Sequence, residues 1–369
     1  MKKVCFLMGY YPINRGGAEY QGYLLSQELR EQFEIFYISV GNEKEKCIID
    51  NGIRIYTLKS PALLCFKDAF FLLKSRIFRI LNKEKPDLIY QRVAYSVTGI
   101  AAKYCQEHGC PLIWHIANKP DVEMKKLSIS KRILVDYFEK KYLEFGIKNA
   151  NCIIGQEDYH NQMLLRNFGK ECTVILNKVL PVEKKQIVKT LPLRVLWIAN
   201  IKPLKQPELF MDLACQFKED DSVSFIMMGR SATGNYQAKL EKRMQRLSSL
   251  EYKGELPIDE VDDLLRESHV FVNTSLYEGG PPNTFIQAWM REVPTVSLNV
   301  DPDDMIKKNK LGFHSGSFEQ MVKDVRFLIE NKKVRGEMGR NARKYALREY
   351  DIEKNIPKYV ELFERMVKR

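Results

Sequence analysis

Short apolar runs of strand length alternate with amphipathic runs of helical spacing from Val4 onward, and the alternation restarts after an irregular stretch at residues 177–192. Parallel strands need a crossover, usually a helix, between each strand and the next, so a chain written this way folds as parallel sheets with helices on both faces. Two such runs predict an α/β protein of two doubly wound domains. At 369 residues the chain is too long for one comfortable core, and its 45% hydrophobic residues suffice for two.

In the first run strands are expected at Val4–Met8, Ile35–Val40, Ile53–Leu58, Pro86–Arg92, Pro111–His115, Asn151–Ile154 and Thr173–Leu176, with a helix through Thr98–His108. The stretch 177–192 has mixed charge, two prolines and weak periodicity, and reads as a linker. Beyond it strands are expected from Leu193, at Val223–Met228, at Val270–Asn273 and at Pro294–Leu298, with helices at Tyr236–Leu250 and Ile258–Glu267. Tyr350–Arg369 reads as a last helix with Ile356, Val360, Phe363 and Met366 on one face and Pro357 in its early turns. The expected domains are 1–178 and 190–349.

The densest functional signal is FVNTSLYEGGPPNTFIQAWMREVPT, residues 271–295: a buried strand, a glycine-proline loop holding one acid, and an amphipathic helix. Ligands in such sheets bind beyond the carboxyl ends of strands, where free amides at a helix N-terminus hold anions. A carboxylate beside a phosphate site repels the phosphate unless it faces something else, and sugar hydroxyls are a natural partner for Glu278. Gly279 and Gly280 let the backbone come close, so amides of the Gly279–Asn283 loop can approach a diphosphate. The same loop also fits an ordinary polar turn.

Three other loops fall on the same edges. Gly16 and Gly17 sit where the first helix begins, so they either present amides to a phosphate or an acceptor or serve a turn's shape alone. His115 ends a strand, a place where a lone histidine is either a site residue or a structural one. Lys205, in the basic loop after WIAN, stands where it can neutralise charge on a leaving diphosphate, or is one more solvated lysine. Arg230, after the Val223–Met228 strand, is within reach of phosphate or base.

The Glu278 loop resembles the signature loop of the retaining GT-B glycosyltransferases of family 4, the glycosyl transferases group 1. That pattern has a Glu, a Gly/Pro loop and a second Glu on the following helix. Here Gln287 stands where the second acid is expected, one residue further on, and Asn200 stands where the family has an Arg before the Lys. The resemblance is strongest over Leu193–Leu298. It implies two Rossmann-like domains facing a cleft, with the last helix crossing back to the first domain.

The resemblance also implies transfer of a hexose from a nucleotide-diphosphate sugar, a UDP-sugar above all, to a hydroxyl of a glycan or lipid-linked acceptor. The anomeric configuration is kept, and surface polysaccharide assembly is the commonest setting. Glu278 then contacts the donor sugar, His115 hydrogen-bonds the hexose, Lys205 and Lys202 meet the diphosphate, and Gln287 grips the ribose. Leu256 lies beside the base. Asn200, Arg230, Gly16, Gly17, Gly279, Gly280, Pro282, Asn283 and Thr284 complete the donor site.

The formal charge is +12, which points to acidic partners without choosing among them. Lys59–Lys85 carries seven Lys/Arg against two acids and Lys119–Lys148 eight against five, both interleaved with apolar residues. Such helices either rest on an anionic membrane or simply have solvated basic faces. Nothing reaches the length of a membrane span, and no signal peptide is expected. The eight cysteines are scattered and read as reduced, mostly buried thiols of a cytoplasmic protein. Only Asp301–Asp303 offers a DxD pair, outside the signature loop, and neither a metal nor a cofactor is expected. A nucleotide-sugar epimerase or phosphorylase-like enzyme of the same fold is an alternative. A basic nucleic-acid-binding protein is another, although no nucleic-acid module is recognisable.

Overall fold

The structure is a computed structural model that describes residues 1–369 except 42–43, 64–65, 68, 124–132, 176–186, 188, 231–234 and 369. Most of the expected linker, 177–192, therefore lies outside the described residues. The chain divides into two compact units, Met1–Val179 with Ile352–Arg369, and Leu180–Asp351.

The first unit is built on an eight-stranded sheet of β1 (Lys2–Leu7), β2 (Phe33–Gly41), β3 (Lys46–Asp50), β4 (Ile53–Lys59), β5 (Leu88–Arg92), β6 (Leu112–His115), β7 (Cys152–Gly155) and β8 (Thr173–Val174). Their spatial order is β8-β7-β6-β5-β1-β2-β4-β3, and all pairs are parallel except β3 with β4. Sequence reasoning missed β3, although its signal is present. Asn51 and Gly52, with φ of 48° and 79°, turn the chain tightly back so that Asp50 pairs with Ile53, and Asn-Gly is the pair that favours such a hairpin turn.

Alternate residues of β1 feed two cores. Cys5 and Leu7 face α2 (Lys74–Glu84), α3 (Ser96–His108) and α4 (Ile133–Asn149), while Val4 and Phe6 face α1 (Gly17–Leu29) and the last helix. A further helix, α5 (Asp158–Phe168), follows β7.

The second unit carries six parallel strands: β9 (Leu193–Ile198), β10 (Val223–Met228), β11 (Leu250–Tyr252), β12 (Val270–Asn273), β13 (Thr295–Ser297) and β14 (Gly312–His314). They stand in the order β11-β10-β9-β12-β13-β14, the doubly wound arrangement. Their helices are α6 (Pro207–Cys215), α7 (Asn235–Met244), α8 (Ile258–Glu267), α9 (Asn283–Met290), α10 (Met305–Lys308), α11 (Phe318–Glu330) and α12 (Lys332–Glu349). The helix expected to run to Leu250 stops at Met244, because Leu250–Tyr252 is taken as a strand beside Phe225–Met227.

The last helix, α13 (Ile352–Val367), belongs to the first unit. It buries Tyr359, Leu362, Phe363 and Met366, and Phe363 meets the rings of Phe6, Phe33 and Tyr90. Of the described cysteines only Cys5 and Cys105 are buried and Cys47 is exposed, so the expectation of mostly buried thiols is corrected. Cys47 lies on the outermost strand of its sheet, which has a neighbour on one side only.

Candidate functional site

In the second sheet the chain order reverses between β9 and β12, which are direct neighbours. The loops that leave such a pair diverge and open a crevice beyond the strand ends. Here the two loops are tied to each other. Trp197 Nε1 donates to Thr274 Oγ1 at 2.9 Å, the Thr274 hydroxyl donates to the Lys205 carbonyl at 2.7 Å, and Leu276 N donates to the Leu204 carbonyl at 3.0 Å.

That clamp brings together two expected site residues 73 positions apart: Lys205 Nζ donates to Glu278 Oε1. The pair is mostly sheltered, with the side chains 19% and 14% exposed. Within the chain itself the Glu278 carboxylate is thus partnered by a cation. Both residues were found by sequence reasoning; the clamp of Trp197 and Thr274 was not, since neither residue type announces a role.

Gly279, Gly280, Pro281 and Pro282 are buried, and Gly280 has a φ of 93°. The amides of Gly279 and Gly280 meet no acceptor among the described residues. Buried amides are nearly always paired, so this turn is prepared for an outside oxygen. Pro282 caps α9, whose first turn holds no acid, with Asn283 and Thr284 half-buried in it. Phe285, Ile286, Trp289 and Met290 are buried as the spacing predicted. Gln287 is buried as well, 8% exposed, with its carbonyl accepting from Arg291 Nη1 at 3.0 Å.

The neighbouring loops join the same edge. Ile201 N donates to the Arg230 carbonyl at 2.9 Å, Gly229 N to the Gly254 carbonyl at 2.8 Å, and the Tyr252 hydroxyl to the Gly229 carbonyl at 2.8 Å. Gly229 has a φ of 146°, and a Cβ there would lie 1.8 Å from the Ala199 carbonyl oxygen, so only glycine lets these loops meet. This places Asn200 and Leu256, both half-buried, and Lys202 and Arg230, both exposed, along one edge. Asp301 is used elsewhere, accepting from Ile306 N at 2.8 Å at the start of α10. Among the described residues no cluster of three or more His, Cys, Asp or Glu is placed to hold a metal.

In the first unit His115 ends β6 and is fully buried. Burial, with the positive charge of Arg92 and the nearby His160, holds its imidazole well below the usual histidine range, so the ring is neutral. Its Nδ1 meets the Tyr90 hydroxyl at 2.5 Å. Burial pushes the Tyr90 phenol up to about 12 against the pull of Arg92, so the phenol keeps its proton. Arg92 can only donate to that oxygen, which leaves the phenol proton for Nδ1 and puts the ring proton of His115 on Nε2. Gly16 and Gly17 begin α1, but the carboxylate of Glu19 folds back over them: a Cβ on Gly16 would lie 2.1 Å from Glu19 Oε2. The helix end expected to face a phosphate or an acceptor faces the chain's own acid.

Solved structures share this architecture. Anabaena HepE in complex with UDP superposes with a TM-score of 0.73 at 14% identity, over 99% of this chain and 100% of that one. The two Rossmann-like units, with the last helix completing the first, form the GT-B fold. Residues 182–345 match the family model described as glycosyl transferases group 1, and the second unit carries a domain of that family.

Two curated relatives are glycosyltransferases. One is a poly(ribitol-phosphate) alpha-N-acetylglucosaminyltransferase of Staphylococcus aureus, 26% identical over 61% of this chain and 46% of that enzyme. This match thus spans about half of that enzyme's length. The other is a UDP-Gal:alpha-D-GlcNAc-diphosphoundecaprenol alpha-1,3-galactosyltransferase of Escherichia coli, 23% identical over 91% of this chain and 90% of that enzyme.

Proposed function

We propose that the protein is a retaining glycosyltransferase that moves a hexose from a UDP-sugar to a hydroxyl of a glycan or lipid-linked acceptor in surface polysaccharide assembly. The observation that carries this reading is the Lys205–Glu278 pair at the switch point of the second sheet, beside the two unpaired amides of Gly279 and Gly280. A nucleotide sugar offers a diphosphate for a cation and amides, and hydroxyls for a carboxylate. The relatives and the UDP-bound neighbour support the donor class and the two acceptor types.

In this reading the bond from the anomeric carbon to the diphosphate breaks while a bond to the acceptor oxygen forms on the same face, and the acceptor proton passes to the leaving diphosphate. Lys205, with Lys202 and Arg230, stabilises the charge growing on the leaving group. Glu278 accepts from hexose hydroxyls, and His115, neutral and carrying its proton on Nε2, serves as a hydrogen-bonding group and not as a base. Gln287 meets the ribose and Leu256 the base, with Asn200, Asn283 and Thr284 lining the diphosphate.

Calorimetric titration of UDP, GDP and their sugars tests the reading. Lys205→Ala is expected to weaken bare nucleotide and conjugate alike, by roughly tenfold or more, the size of one charge-assisted contact. Glu278→Ala is expected to weaken the sugar conjugate more than the bare nucleotide. Absence of binding by every nucleotide would remove the proposal.

A peripheral membrane position at the inner face of a membrane is a second reading, favoured by one patch. Leu72, Leu134 and Tyr137 are exposed, and Phe71, next to Leu72 in the chain, packs on Phe138, next to Tyr137. Lys74, Lys140 and Lys141 flank these residues in the chain. Apolar residues ringed by lysines suit an anionic bilayer surface. No helix among the described residues is long and apolar enough to cross a membrane. Co-sedimentation with anionic liposomes that is unchanged by Leu134→Asp would dismiss this reading.

A further inference from the structure

The strand β5 sits beside β1, where the chain order of the first sheet reverses, and it ends on Arg92. Arg92 is 3% exposed, forms no ion pair among the described residues, and its Nε meets no acceptor. Two acids of the same unit have other neighbours. Glu139 accepts from Ser96 N at 3.2 Å, Ser96 Oγ at 2.8 Å and Phe71 N at 3.0 Å. Glu157 lies 3.8 Å from Lys119 Nζ and 3.5 Å from His160 Nε2. A buried guanidinium with a phenol oxygen beside it but no acid to balance its charge is costly for a fold to carry.

A second, independent feature lies next to it. Val93 has a φ of 75°, a left-handed conformation that a β-branched side chain rarely adopts. The surroundings enforce it. Buried Gln91 donates through Nε2 to the carbonyls of Arg92, at 2.7 Å, and of Val93, at 2.9 Å, and its Oε1 accepts from Thr98 Oγ1 at 2.8 Å. A strained turn pinned by a dedicated buried side chain marks functional positions more often than structural ones. Here the turn follows the residue whose charge is left over.

We propose that Arg92 anchors an anion site in the first unit, taking the phosphate or carboxylate group of a ligand bound at the carboxyl edge of β5. The guanidinium fork matches either group with two parallel hydrogen bonds. Beside the guanidinium lies the Tyr90 hydroxyl, which is bonded in turn to His115 Nδ1. The site stands on Arg92 and its turn alone, whether or not the second unit takes a nucleotide sugar. Its anion is either the donor's diphosphate or a charged group of the acceptor.

Scanning calorimetry of the full chain tests this, with inorganic phosphate compared against chloride at matched ionic strength. At about a hundred times its dissociation constant phosphate is expected to raise the first unit's transition by about 5 °C. The shift is expected in the wild type and in Lys205→Ala, which silences a phosphate site in the second unit, and is lost in Arg92→Met. In chloride Arg92→Met is expected to melt no lower than the wild type, since it removes an unpaired buried charge. Arg92→Lys, which keeps the charge without the fork, retains a smaller phosphate shift, and this arm stands if the methionine variant fails to fold.

Lack of a phosphate shift in the wild type, an equal shift in Arg92→Met, or a folded Arg92→Met that melts well below the wild type in chloride would each overturn the proposal. Titration with UDP separates the sources. A tenfold or greater loss of UDP affinity in Arg92→Met assigns the anion to the donor, and unchanged UDP affinity assigns it to the acceptor.

Discussion

Helix α9, which follows β12 at the switch point of the second sheet, begins at Pro282 with no acid in its first turn. In the first unit three helices begin under carboxylates instead: Glu19 folds over the start of α1, Glu139 accepts from the first amide of α3, and Glu157 is the N-cap of α5. A helix N-terminus holds about half a positive charge, and an acid placed there uses it up. The switch-point turn before α9 therefore keeps backbone donors open for a ligand, while these three helix ends of the first unit are closed and a side chain, Arg92, is left to do that work. One strand-helix pattern supports two ways of meeting an anion.

The sharpest way to break this contrast is at its glycines. Gly229→Ala forces a Cβ onto the Ala199 carbonyl at a φ that disfavours any side chain, so a loss of about 3 kcal/mol or more is expected in the second unit, read by denaturant unfolding. Gly16→Ala meets only the mobile end of Glu19 and is expected to cost under about 1 kcal/mol in the first unit.

Next in size is a half-buried lysine of the second unit. Lys189 donates to the carbonyls of Leu265, Ser268 and Arg291, and burial pulls its amine down to about 7. Above that pH the folded state has released a proton that the unfolded state holds to about 10.5, so stability rises with pH through this window, by up to about 1.4 kcal/mol per unit. Lys189→Met is expected to flatten the rise, seen in unfolding curves from pH 7 to 10. Arg92→Met, by contrast, leaves the pH dependence as it is, because arginine does not titrate there.

The buried histidines act in the opposite range. His115 in the first unit and His269 in the second, the latter pulled down to about 4 by burial, stay neutral when folded, while the unfolded chain binds protons below about 6.5. Stability is lost as pH falls through that range, and His115→Gln is expected to lessen the loss in the first unit alone. The smallest effect concerns the helix ends: Glu19→Gln is expected to cost α1 about 0.5 kcal/mol, detectable as a slight fall in the first unit's midpoint at low salt.

Most of the parallel strands were legible because each is a short apolar run between turn residues, and helix Ile258–Glu267 was legible to the residue; β14, Gly312–His314, was missed because only Phe313 of its three residues is apolar and large. Antiparallel β3 escaped because Lys46–Asp50 mixes charge with two isoleucines and only its Asn-Gly turn gives it away. Glu278 and Lys205 were visible as polar residues in loops that follow apolar strands, yet their pairing depends on a contact 73 residues apart. Arg92 was invisible for a different reason. An arginine after LIYQ looks like any strand-ending cation, and only the solved surroundings reveal that no acid comes to meet it.

The last helix has a consequence for how the protein is made. Phe363 fills a core whose other walls, Phe6, Phe33 and Tyr90, leave the ribosome some 270 residues or more earlier. The first unit must wait half-open while the second, whose segments are contiguous, has already been synthesised whole. The domain that emerges first is finished last, and chaperones have the longest hold on the apolar groove that α13 will cover.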